Sequence, residues 1–166
     1  MAIIGNGDIA SVLPKRDDLL FFASGVSNSR CEDEKEYKRE RDLLLEQYTG
    51  SHIVYFSSLA IFYSQTRYAR HKLDMEAMIK ENFKKYCIVR LGNIDWGTNP
   101  NTIINFFRSE LAKGHKLHIR DEYRYIISKS EFLHWINLIP DWNCEMNLPG
   151  RMMKIEEIVE EYCDEP

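Results

Sequence analysis

Short apolar runs that stop at glycine or serine, with helical stripes between them, constrain this chain more than any other feature. Ala2-Ile3-Ile4 stops at Gly5-Asn6-Gly7, residues 19–23 stop at Ser24-Gly25, residues 52–56 stop at Ser57-Ser58, and residues 86–91 stop at Gly92. Runs this short and this apolar read as strands buried on both faces. Ile9, Ala10, Val12 and Leu13 support a short helix stopped at Pro14. Residues 32–47 form a charge-rich helix with Tyr37, Arg41, Leu44, Leu45 and Tyr48 on one stripe and a solvated face along residues 32–41. Helices follow at about 68–83 and from Ile103 to near Gly114. Residues 116–119 and 123–127 read as short strands, and Ser128 with Glu131 has the form of a capping box. The last helix carries Ile155, Ile158, Val159 and Tyr162 on one docking stripe.

Strands separated by helices need right-handed crossovers, so the expected class is α/β, a parallel sheet with helices on both faces. Ligands of such sheets bind at the carboxyl ends of the strands, and every small or polar cluster named above lies at such an end. These clusters should converge on one crevice.

With 166 residues, 44% of them apolar, the chain suits one domain over 1–166, in which residues 115–166 contribute a small C-terminal, substrate-side subregion. The apolar run at 19–23 is far short of the roughly 20 residues that cross a bilayer. The opening lacks a basic segment followed by a long apolar one, so the expectation is a cytoplasmic protein with no membrane partner. Acidic charge concentrates at 31–50 and 154–166; residues 51–153 carry fourteen basic and ten acidic groups. That excess suits an anionic small molecule and is too dilute for a nucleic-acid groove. Cys31, Cys87, Cys144 and Cys163 are 56, 57 and 19 positions apart, and the five histidines are scattered. The expectation is reduced thiols and no metal site.

Tyr68 and Lys72 are four residues apart on an expected helix and share one face. An ammonium beside a phenol favours the phenolate, which makes Tyr68 a candidate proton carrier. Ser58, at the end of the preceding strand, is placed to hold the same substrate oxygen.

On these residues the chain resembles the short-chain dehydrogenase/reductase superfamily, in its extended branch of NAD-dependent epimerases and dehydratases. Ile3-Ile4-Gly5-Asn6-Gly7-Asp8-Ile9-Ala10 is similar to a reduced dinucleotide fingerprint, and Phe22-Ala23-Ser24-Gly25-Val26 to the strand end lining the cofactor. Val54-Tyr55-Phe56-Ser57-Ser58 resembles the strand with the catalytic serine. Tyr68-Ala69-Arg70-His71-Lys72, followed by Glu76, resembles the catalytic helix. Arg90-Leu91-Gly92-Asn93-Ile94, with Gly97 after it, and Arg124-Tyr125-Ile126-Ile127 match two further segments.

The resemblance implies a Rossmann-like α/β fold ending in a small helical region. It also implies an NAD(P)-dependent oxidoreductase acting on a sugar nucleotide or similar hydroxy/keto substrate. Ser58, Tyr68 and Lys72 would be catalytic. Gly5, Gly7, Asp8, Ile9, Ala23, Ser24, Gly25, Phe56, Lys72, Leu91, Asn93 and Ile94 would meet NAD or NADP, and Ser58, Asn93 and Arg124 the substrate. It further implies a homodimer through the helices at 32–48 and 68–83, with Tyr37, Leu44 and Met75 on its surface.

Two departures bear on these expectations. Pro14-Lys15-Arg16-Asp17-Asp18 runs straight into the cofactor-lining strand, so two strand–helix steps are missing, with the acidic residue that grips the adenosine ribose. Only nine residues separate Ser58 from Tyr68, which implies a smaller or more open pocket. The alternative reading is a catalytically impaired nucleotide or nucleotide-sugar binding module of the same fold, or a partner subunit.

Overall fold

The computed structural model describes residues 2–163. In chain order the elements are β1 (Ala2–Ile4), β2 (Leu20–Phe22), α1 (Glu34–Leu45), β3 (His52–Ser58), α2 (Arg67–Asn82), β4 (Lys85–Leu91) and β5 (Asn93–Ile94). There follow α3 (Ile103–Ala112), β6 (Tyr123–Ile127), α4 (Lys129–Asn137), β7 (Cys144–Leu148), β8 (Arg151–Lys154) and α5 (Ile155–Tyr162). Five strands form an all-parallel sheet in the order β1-β2-β3-β4-β7. A small second sheet joins β5, β6 and β8. This is a truncated Rossmann-like α/β fold.

The two-residue period of the strands divides their side chains between two helical layers. Leu20, Phe22, Ile53, Tyr55 and Ile88 point to one face, where Leu44 of α1 and Met75 and Ile79 of α2 cover them. Phe21, Val54, Phe56, Cys87 and Val89 point to the other and meet Phe132, Ile136 and Ile139 in and after α4. Local chemistry sets the helix starts. The side chains of Asp33, Thr66, Thr102 and Ser128 each accept a backbone N–H from the first turn of α1, α2, α3 and α4 respectively.

Several expectations are corrected. The helix after β1 is a single 3-10 turn, Ala10–Val12, because Pro14 stops it after one turn. Residues 116–119 form no strand; β6 begins at Tyr123. The C-terminal region is not only helical: β7 completes the main sheet and β8 pairs antiparallel with β6, while α5 docks through Ile155, Ile158 and Val159. On α1 the buried stripe is Tyr37, Glu40 and Leu44, whereas Leu45 and Tyr48 are 57% and 77% exposed. Tyr37, Leu44 and Met75 are buried within the chain and unavailable as a dimer surface. Before β2, Arg16 binds Asp18 and the carbonyls of Asn137, at the end of α4, and of Ile139 just after it. Among the described residues no helix is long and apolar enough to cross a membrane.

Candidate active site

The expected crevice is a cavity of about 1080 Å³ at the carboxyl ends of the parallel strands. Its walls include Gly7, Asp8 and Ile9 after β1, Ala23, Ser24 and Gly25 after β2, Phe56 and Ser58 of β3, and Leu91, Asn93 and Ile94 of β4 and β5. Tyr68, Lys72 and Arg124 also line it. Gly5 does not. It sits at φ 125°, and a β-carbon there would lie 2.3 Å from the Ala23 carbonyl oxygen, so Gly5 serves the close approach of β1 and β2.

Ser58 ends β3, where its Oγ accepts the Ala60 N–H at 3.1 Å and starts a 3-10 turn over Leu59–Phe62. The neighbouring Ser57 is committed elsewhere: its hydroxyl donates to Glu76 at 2.6 Å. Glu76 also takes a two-pronged bond from Arg90, at 2.9 and 2.6 Å, which ties α2 to β4 beneath the site. Thr66 caps α2 immediately before Tyr68, and one turn later the Lys72 Nζ lies 5.6 Å from the Tyr68 ring centre.

Lys72 has a partner that sequence reasoning placed in solvent. Glu40, fully buried on α1, accepts from Lys72 Nζ at 3.0 Å and from the Tyr55 hydroxyl at 2.7 Å through Oε1. Its Oε2 accepts the Val26 N–H at 2.7 Å and lies 3.0 Å from His71 Nε2. Burial would raise the Glu40 carboxyl, but Lys72, His71, Tyr55 and the Val26 amide hold it well below the usual carboxylate range. Burial also opposes the Lys72 ammonium, and Glu40 outweighs it, so Lys72 stays above the ordinary lysine value. Burial, reinforced by the Glu40 charge, pushes the Tyr55 phenol well above its usual value and keeps it a donor. Lys72 is thus a fixed cation whose charge is largely balanced from behind. The available signal for Glu40 was its spacing, three residues after Tyr37 and four before Leu44, on the buried stripe.

Gly25 closes this arrangement, since a β-carbon there would lie 2.6 Å from Lys72 Nζ and 3.1 Å from Glu40 Oε1. Gly25→Ala should lower stability by about 1–3 kcal/mol, the usual effect of overpacking a buried contact. Denaturant unfolding checks this, and unchanged stability would mean that the ammonium can move aside.

Three further expected site residues reach the cavity already engaged. The Asp8 carboxylate accepts the N–H groups of Thr98 and Asn99 at 3.0 and 2.9 Å, so it anchors the loop before α3. Asn93 donates to the Tyr125 carbonyl at 3.1 Å. Arg124 donates to Glu122 at 2.8 Å and to the Tyr123 carbonyl at 2.9 Å. Among the described residues no group of three or more His, Cys, Asp or Glu side chains is arranged to hold a metal ion.

No protein-family model and no curated protein sequence matches the chain. Solved structures do match in fold. The Bordetella bronchiseptica enzyme WbmG, in complex with NAD and UDP, superposes with a TM-score of 0.61 at 16% identity, over 90% of this chain and 58% of that one. A UDP-galactose 4-epimerase gives 0.63 at 13% identity, over 86% and 60%. A dTDP-4-dehydrorhamnose reductase from Clostridium acetobutylicum gives 0.63 at 17%, over 86% and 61%. The chain therefore spans about three-fifths of the length of these structures, and the likeness is one of fold.

Proposed function

We propose that this chain is an NAD-type oxidoreductase of the epimerase, dehydratase or reductase kind, acting on a nucleoside-diphosphate sugar or a similar hydroxy/keto substrate. The observation that carries the reading is the meeting of Ser58, Tyr68 and Lys72 in one cavity at the carboxyl edge of a parallel sheet. That WbmG is held with NAD and UDP supports it.

The residues at the nicotinamide end suit such a cofactor. The missing side chain at Gly25 lets the Lys72 ammonium and Glu40 sit close against the backbone, and Gly25, Ser58, Tyr68 and Lys72 line the same cavity. When bound, the cofactor supplies the hydride acceptor or donor. The chain's own residues handle the substrate oxygen. Ser58 Oγ holds it by a hydrogen bond, and Tyr68 Oη gives it a proton on reduction or takes one on oxidation. Lys72 anchors the ribose beside the Tyr68 ring, while Glu40 keeps Lys72 charged and in place. Glu122 and Arg124, with the region from 115 onward, would form the substrate side.

Calorimetric titration with NAD, NADP and their reduced forms tests the reading. Binding of at least one is expected, and silence with all four would overturn it.

A further inference from the structure

The strand order β1-β2-β3-β4-β7 runs in one direction from β1 and never reverses. A dinucleotide-binding sheet is built from two mononucleotide-binding halves, and its ligand straddles the crevice where the strand order turns back. Here β1 pairs with β2 alone, and its other edge has no strand partner among the described residues. Between Ile4 and Leu20 the chain makes one 3-10 turn and returns. Among the described residues the platform for a second nucleotide, with the strand that would end in a ribose-gripping acid, is therefore missing.

We propose that the cavity recognises a single mononucleotide, the nicotinamide ribose 5′-phosphate end of the cofactor, and that the adenosine half of NAD adds no affinity. This rests on the oxidoreductase reading. Which half is kept follows from the chemistry. Ser58 and Tyr68 stand on β3 and α2, inside the retained half, and a ring that exchanges hydride has to lie against the carbon whose oxygen they hold.

The phosphate also has a counter-charge. Arg30, in the loop between β2 and α1, lines the cavity, and its guanidinium has no acidic partner among the described residues. The other cavity arginines are engaged, Arg39 with Ser24 and Glu36, and Arg124 with Glu122. A guanidinium with no acidic partner in the lining of the same cavity matches a terminal phosphate. The adenosine of a bound dinucleotide would extend past the open edge of β1 into solvent. Because the 2′-phosphate of NADP is carried on that adenosine, NAD and NADP should bind alike.

Calorimetry on the full chain with NAD, NADP, nicotinamide mononucleotide and AMP tests the proposal. The expected result is nicotinamide mononucleotide, NAD and NADP within about fivefold of one another, and no displacement of NAD by AMP. A wider spread in favour of either dinucleotide, or competition by AMP, would overturn the proposal while leaving the oxidoreductase reading intact. Silence with every nicotinamide ligand would overturn both. Arg30→Ala should weaken nicotinamide mononucleotide by about tenfold and leave nicotinamide riboside unchanged, since only the former carries the phosphate. An equal effect on the two would remove Arg30 from the proposed site.

Discussion

Tyr68→Phe should lower turnover of a nucleoside-diphosphate sugar by about 10²-fold or more while leaving cofactor affinity within about twofold. The substitution removes one oxygen at the cavity wall and leaves the ring beside Lys72 unchanged. The loss should therefore fall on kcat rather than on binding. The measurement pairs steady-state kinetics on a panel of such sugars with calorimetric affinity for the cofactor. A variant retaining most of its turnover would remove Tyr68 as the proton carrier, and parallel losses in turnover and affinity would assign it to binding instead.

The second large effect belongs to Glu40. Glu40→Ala strands a buried ammonium, a buried phenol and the Val26 amide together, and loss of one member of such a buried pair costs about 3–5 kcal/mol. Unfolding in denaturant at neutral pH should show this as a lower midpoint.

The pH dependence follows from the directions of the shifts. Glu40 is held below its ordinary value of 4.5, so its contribution is full above that pH and is lost as pH falls through the depressed folded value. Lys72 is held above its ordinary value of 10.5, so its contribution is full below that pH and is lost as pH rises through the folded value. The pair therefore supports the fold across the whole neutral range and fails first on the acid side. Glu40→Gln, which keeps the shape and loses the titrating carboxyl, should show a shallower fall of stability below pH 4.5 than the parent chain. Identical acid limbs in the two would mean that Glu40 is not the titrating support.

Much of the scaffold was legible because its signals are local. Residues 53–56 and 86–89 are apolar throughout, and central strands of a parallel sheet are covered on both faces, so β3 and β4 could be read directly. In β7, Cys144-Glu145-Met146-Asn147-Leu148 alternates with polar residues because it is an edge strand, and that pattern did not stand out. In β8, Arg151-Met152-Met153-Lys154 is stabilised by pairing with β6, which no neighbouring residue announces. The four-residue spacing of Tyr68 and Lys72 placed them on one helix face, and the serine at the end of β3 brought a hydroxyl to the same wall.

The ligation of Lys72 was not legible in the same way. Glu40 is one of seven acidic residues between 31 and 50, and what distinguishes it is contact with Tyr55 and Lys72, 15 and 32 positions along the chain. Asp8 looked free for a cofactor until the loop before α3 folded onto it, some 90 positions away.

By itself the amino-acid sequence determined β1 to β4 and β6, the five α-helices, the Ser128 cap and the face that Tyr68 and Lys72 share, since each follows from residue period and from side chains one to four positions apart. Only the tertiary structure decided that β1 stands at a sheet edge, that β7 closes the other side, and which acid balances Lys72. Periodicity tells a side chain which way to point. It does not say which distant segment will be waiting there.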